Sequence, residues 1–177
     1  MVPEQYYNGR VDHQRTLHDG DGVRNTHNFI KACLIQEYVP SRAHLLDLGC
    51  GQGGDLLKYK RKHLKSYRGI DVSHKAIERN NERIVAINLN CRVRLECANF
   101  CQKTWEQTSA YDAISCQFAI QYAFESIDTA RRVIAQISAS LKPDCCLIGT
   151  VPVHKESPTY TQVVVKLPDD ERECLEY

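Results

Sequence analysis

A carboxylate, four glycines and a second carboxylate (Asp47, Gly49, Gly51, Gly53, Gly54 and Asp71) lie within one short stretch of this chain. Glycines at this density let the backbone bend sharply and approach a ligand closely, because no Cβ intervenes. The apolar run Leu45 to Leu48 precedes them and a helical pattern follows. The turn therefore opens a helix whose first N–H groups face the crevice above a strand. Asp71 ends a second short apolar stretch, 22 positions beyond Gly49, where an acid at a strand tip can hold a ribose diol. An ordinary tight turn would account for the glycines but not for an acid at that distance. The combination describes a site for an adenosine-bearing cofactor. A nicotinamide dinucleotide would set its pyrophosphate on the helix N-terminus, usually with Gly-x-Gly-x-x-Gly spacing. Here the spacing is Gly-x-Gly-x-Gly-Gly and Asp47 stands beside it. That carboxylate repels a pyrophosphate and suits the sulfonium and ammonium of S-adenosylmethionine.

The elements that must position this turn follow from periodicity. Residues 1–22 are polar and read as an N-terminal arm, and 23–177 as the domain proper. Val23 to Tyr38 reads as a helix, with Phe29, Ile30, Cys33, Leu34 and Ile35 at helical spacing and Asn25, His27, Asn28 and Lys31 as its polar face. Pro40 ends it. Asp55 to Lys65 and Ser73 to Asn88 read as helices, the latter capped by Ser73. Between and after them, Tyr67 to Ile70, Val93 to Cys97 and Tyr111 to Phe118 read as strands. Ile127 to Leu141 reads as a helix with Ala130, Val133, Ile134, Ile137 and Leu141 inward. Lys142 to Asp144 reads as a turn, Cys145 to Val151 as a strand, and Tyr160 to Leu167 as a further strand. Alternation of strand and helix implies an α/β fold with a doubly wound, mostly parallel sheet and ligands beyond the strands' carboxyl ends. Asp71, Asn99, Gln117 and Pro152 all fall at such ends.

With 177 residues, 42% hydrophobic and net charge +1, the chain has the material for one core and no overall polyanion-binding balance. Its nine cysteines include no Cys-x-x-Cys pair, which argues against a zinc knuckle and implies no metal. Cys33, Cys116, Cys145 and Cys146 sit in apolar runs, as small hydrophobes do. No signal pattern or membrane-length apolar run occurs, so a reduced, soluble, intracellular protein is expected. The basic run Lys58, Lys60, Arg61, Lys62, His63, Lys65 and Arg68 reads equally as a solvated face or as a device steering a phosphate-bearing substrate to the crevice.

Four separated segments, Arg24 to Lys31, Leu46 to Lys58, Ser115 to Ser126 and Ile148 to Pro152, resemble eukaryotic messenger-RNA cap (guanine-N7) methyltransferases. Tyr6 to Arg10 is similar to that family's N-terminal arm, and the likeness resumes at Glu173 to Tyr177. The resemblance implies the Rossmann-like fold of class I S-adenosylmethionine-dependent methyltransferases, here ending early, after the fifth strand. It implies that Lys31, Gly49, Asp71, Asn99, Gln117 and Tyr122 hold S-adenosylmethionine. It further implies that His27, Asn28, Gln52, Lys58, Arg83, Gln121, Pro152 and Glu176 line a cap pocket. Lys58 and Arg83 would neutralise the triphosphate, and Glu176 would accept from guanine N1 and N2 hydrogens. Phe118 and Tyr122 are expected to pack on the base, and Phe124 to be a core aromatic. Guanine N7 carries a lone pair and no proton, so no catalytic acid, base or nucleophile is expected.

Four positions depart from the family pattern. His27 stands for Asn, Gln52 for a frequent Lys, Gln121 for His and Asn99 for Asp; they bear on cap affinity more than on cofactor binding. Family members continue beyond position 177 into a cap-contacting segment, so a shortened piece or a reduced enzyme is expected. The same resemblance implies capped mRNA as partner, an activating subunit or other capping machinery beside it, and a nuclear location. The competing expectations are a methyltransferase acting on another RNA or a small molecule, and a non-catalytic cofactor-binding relative.

Overall fold

The computed structural model describes residues 21–105, 109–151 and 162–166. Strands β1 (His44–Leu48), β2 (Ser66–Asp71), β3 (Arg92–Cys97), β4 (Tyr111–Gln117), β5 (Leu141–Thr150) and β6 (Gln162–Lys166) form one sheet in the order β3-β2-β1-β4-β5-β6. The first five pair in parallel, and β6 runs antiparallel on β5 within the stretch that the sequence marks as a further strand. The chain leaves β1 toward β2 and β3, then returns to β4 on the other side. That reversal opens a crevice beyond the carboxyl ends of β1 and β4.

Helices α1 (Asp21–Tyr38), α2 (Leu56–Lys60) and α3 (His74–Ala86) cover one face, and α4 (Ile127–Ser140) covers the other. β1 is buried on both sides, as central parallel strands are. Leu45 packs with Leu34, Ile35, Tyr59 and Tyr67, while Leu46 and Leu48 pack with Ile114, Val133 and Ile137. Each such leucine contributes about 1.5–3 kcal/mol by burial. Trp105 is buried beside α4 and donates its indole N–H to Ser140 Oγ at 3.1 Å. Ser73 caps α3, its Oγ accepting from Ala76 N at 3.2 Å, as its position before the helix predicts. Among the described residues no helix is long and apolar enough to cross a membrane.

Several expectations are corrected. The helix expected over Asp55 to Lys65 is regular only over Leu56–Lys60 and unwinds into a turn whose His63 has φ +50°. The turn expected at Lys142 to Asp144 lies inside β5. There the register with β4 jumps from Tyr111 opposite Leu141 to Ala113 opposite Cys146, and Asp144 takes φ +59°. The local bend is real, but pairing resumes on both sides of it as a bulge. Ile134 (39% exposed) and Cys33 face outward rather than into the core. Helical spacing places them at the margin of the apolar stripe, and nothing described packs over them.

Candidate functional site

The glycine turn after β1 is pinned from below and from the side. Gly49 N and Cys50 N both donate to Ile70 O, at 2.8 and 3.2 Å, which fixes the turn against the end of β2. Asp71, at the tip of β2, accepts from Gly51 N at 2.8 Å through one oxygen and from Ser73 N at 2.9 Å through the other. Asn80 of α3, fully buried, donates to Gly51 O at 3.1 Å. One carboxylate thus ties the loop after β1 to the start of α3. Burial raises the Asp71 pKa above the ordinary range, against the lowering effect of those backbone N–H groups.

A cavity of about 430 Å³ opens at this point, over the carboxyl ends of β1, β2 and β4, within the size range of small-molecule sites. Of the residues expected to hold a cofactor, Gly49, Asp71, Asn99 and Tyr122 line it; of those expected around a cap, Gln52 and Gln121 do. Gln117 lies deeper, donating to Ser115 Oγ and accepting from Thr150 Oγ1 at 2.9 Å. Asn99 Oδ1 accepts from Cys101 N at 2.9 Å, which shapes the loop after β3. Gln121 donates to Phe118 O at 2.8 Å, and its Oε1 is buried without a hydrogen-bond partner among the described residues. Phe118, at φ +56°, lies against His27 of α1 with ring centroids 4.8 Å apart. Phe124, expected in the core, is 63% exposed yet borders the cavity. The short 3-10 helix Ile120–Glu125 rotates it outward and buries Ala123 instead.

Beside the cavity, α1 crosses over α2. Asp55 binds both Lys31 at 2.9 Å and Lys58 at 2.6 Å, and Lys58 also donates to Asn28 Oδ1 at 3.4 Å. Lys31, Asn28 and Lys58 therefore come together around a carboxylate that the sequence reading did not single out. Its signal was present, since Asp55 directly follows the glycines. Arg83, exposed on α3, donates to Gln52 O at 3.1 Å at the rim. Pro152 and Glu176 lie outside the described residues.

The fold divides the basic run. Lys58 stands at the crevice, but Lys62 donates to Gln36 O, and Arg42 N and Ala43 O bond the backbone of Lys62 and Lys65. Residues 61–65 therefore sit at the strands' amino ends, opposite the cavity, and Arg68 is buried against Glu96 and Tyr111. Of this run, Lys58 is the cation beside the crevice.

Beneath the turn, Asp47 is 5% exposed and accepts from Tyr67 Oη at 3.0 Å. Burial, then the charge of Asp55, push its pKa up to about 8, opposed by the Tyr67 hydrogen bond and by Lys31. The same burial raises Cys50, Tyr59 and Tyr67, so no neighbouring proton donor is ionised at neutral pH. Between pH 3.8 and about 8 the unfolded chain has lost this proton and the folded chain keeps it. Asp47 therefore makes stability fall as pH rises through that window, by up to about 1.4 kcal/mol per unit, and the fall ends above about 8. Asp47→Asn is expected to flatten this slope in denaturant titrations from pH 5 to 8. An unchanged slope would mean Asp47 is already ionised in the folded protein.

Solved structures with this fold include the cyclase SpnF, with TM-score 0.63 at 22% identity, covering 81% of this chain and 54% of that one. They include an S-adenosylmethionine-dependent methyltransferase from Mesorhizobium loti, with TM-score 0.58 at 17% identity, covering 73% and 56%. The architecture is that of class I S-adenosylmethionine-dependent methyltransferases. Residues 2–171 match the model of the mRNA (guanine-N(7))-methyltransferase domain, and the chain belongs to that family. The mRNA cap guanine-N(7) methyltransferase of Eremothecium gossypii is 34% identical over 165 residues, 86% of this chain and 38% of the relative. The mRNA cap guanine-N(7) methyltransferase 1 of Arabidopsis thaliana is 34% identical over 142 residues, 73% and 38% respectively. The chain thus spans 38% of the length of these relatives.

Proposed function

We propose that this chain binds S-adenosylmethionine and methylates guanine N7 of the 5′ cap of mRNA. The observation that carries the reading is the coincidence of the family match over residues 2–171 with the cavity bordered by Gly49 and Asp71. The cavity suits the cofactor: it has an acceptor at the tip of β2 and an unpartnered buried oxygen on Gln121, beside a glycine turn that lets a ligand approach the backbone.

Bound there, S-adenosylmethionine supplies an electrophilic methyl on a sulfonium. Lys31, Gly49, Asp71, Asn99, Gln117 and Tyr122 would hold it, Lys31 also binding the neighbouring Asp55. Guanine N7 needs no deprotonation, so the chain's task is to orient and to exclude water, and orientation alone supplies about 7–11 kcal/mol. Lys58, bonded to Asn28, and Arg83, bonded to Gln52, line the path for the triphosphate. His27, Phe118 and Gln121 form the wall for the base, and the family resemblance assigns Pro152 and Glu176 to the cap as well. In this reading residues 1–22 are an arm and 23–177 the methyltransferase domain. The protein works in the nucleus, with an activating subunit or other capping or transcription machinery.

The test is methyl transfer from labelled S-adenosylmethionine to GpppA- and GpppG-capped RNA, with uncapped and ApppG-ended RNA as controls. N7-methylguanosine on the guanosine-capped ends alone is expected. Cofactor binding without that product, or equal labelling of the controls, would reject the cap as substrate of this chain.

A further inference from the structure

The edge of the sheet opposite the cavity is built from residues 36–43, 60–66 and 87–92, which contain one acid, Glu37, and six lysines and arginines. Backbone bonds hold these segments together: Arg42 N to Lys62 O at 2.9 Å, Lys65 N to Ala43 O at 2.9 Å and Arg92 N to Lys65 O at 3.2 Å. Arg42, Lys65 and Arg92 thus lie at the entrances of three adjacent strands, spaced about 4.8 Å apart, with Arg61 and His63 on the turn between. Arg42, Arg61, Lys65 and Arg92 are exposed, and their charged groups have no hydrogen bond or ion pair among the described residues. Of the other cations with described side chains, only Arg131 shares that condition. Elsewhere the described cations other than Arg131 have partners, while this group is left open.

We infer that this edge binds the phosphate backbone of single-stranded RNA, independently of the cap pocket. None of the exposed large apolar side chains (Phe29, Leu57, Val85, Tyr122, Phe124, Ile127 and Ile134) belongs to these segments. A protein partner would want an apolar centre to its interface, whereas phosphates need only cations. With no exposed Phe, Tyr or Trp here to stack bases, the contact is sequence-independent. The inference rests on the capped-RNA reading for the source of the strand. β1 separates the two sites by about 17 Å, so one transcript spans both once it exceeds on the order of ten nucleotides.

The test uses the full chain and an uncapped, 5′-hydroxyl 20-nucleotide RNA, titrated at several salt concentrations. Replacing Arg42, Lys65 and Arg92 together by Gln is expected to weaken binding roughly tenfold or more and to lower the salt slope by about two, near 0.7 per lost contact. Each single variant should lower the slope by about one third of that, which guards against a misfolded triple variant. Methyl transfer to the dinucleotide GpppG, too short to reach this edge, should not change. Unchanged affinity and slope in all variants would overturn the inference. So would a poly-glutamate peptide that binds the chain more tightly than RNA and loses its binding in the same variants. Absence of methyl transfer with the slope change intact would reject the cap reading and leave the edge as an RNA site.

Discussion

Asp71→Ala is expected to lower S-adenosylmethionine affinity at least a hundredfold. The carboxylate does two jobs at once. Its oxygens accept from Gly51 N and Ser73 N at 2.8 and 2.9 Å, holding the glycine loop to the start of α3. Ser73 is fully buried, so removing its acceptor leaves a donor that water does not reach. Each stranded N–H costs about 1–3 kcal/mol of folding stability. Affinity falls because the ribose loses a charged acceptor, whose hydrogen bonds are worth about 1.5–3 kcal/mol each, and about 2.7 kcal/mol is already a hundredfold. Asp71→Asn keeps one carbonyl acceptor and should fall between alanine and the natural residue. Calorimetric titration with the cofactor, alongside a thermal melt, reads both effects. Full-strength binding by Asp71→Ala would show that neither the loop clamp nor the strand-tip acid matters to the site.

Gly49→Ala is expected to damage both stability and the cavity. The residue has φ +71°, and a Cβ there would lie 2.4 Å from Ala119 Cβ. The left-handed backbone costs an alanine about 1–2 kcal/mol, and forcing a methyl into a filled space about 1–3 more. The melting temperature should drop by roughly 10 °C for a chain of this size, and cofactor binding should weaken as the turn before Ile120–Glu125 is pushed aside. Ala119→Gly in the same chain removes the colliding methyl but not the dihedral cost. The double variant should therefore recover part of the stability, a coupling that a double-mutant cycle measures. No recovery would place the whole penalty in the backbone.

Much of this site was legible before any coordinates. The glycine turn, the acid at the next strand tip and the alternation of strand and helix depend on residues close in sequence. Parallel pairing and a crevice at the carboxyl ends then follow from chirality and connection rules. Asn99 could be placed near the cavity because strand ends converge there, and Tyr122 by the family resemblance. Phe124 escaped that reasoning, because a 3-10 helix and an α-helix put the same residue on different faces, and the apolar pattern Ala119 to Phe124 suits either. The bulge in β5 escaped it too, since a Lys-Pro-Asp turn looks the same whether the neighbouring strand resumes beyond it or not.

What the sequence by itself determined was the order of elements, the cofactor turn and the family. Each is set by local spacing that any fold of this chain must honour. Tertiary structure alone decided where charge goes. Asp55 meets Lys31 across 24 residues only because α1 folds over the crevice. Asp47 holds its proton to about pH 8 because the packed sheet buries it away from water, against the lowering effect of the tyrosine hydrogen bonds. One continuous basic run is split between two opposite edges because a five-residue helix carries the chain from the carboxyl end of β1 back toward its amino end. Electrostatic interactions act through space, so their partners and their dielectric surroundings exist only once the sheet has assembled.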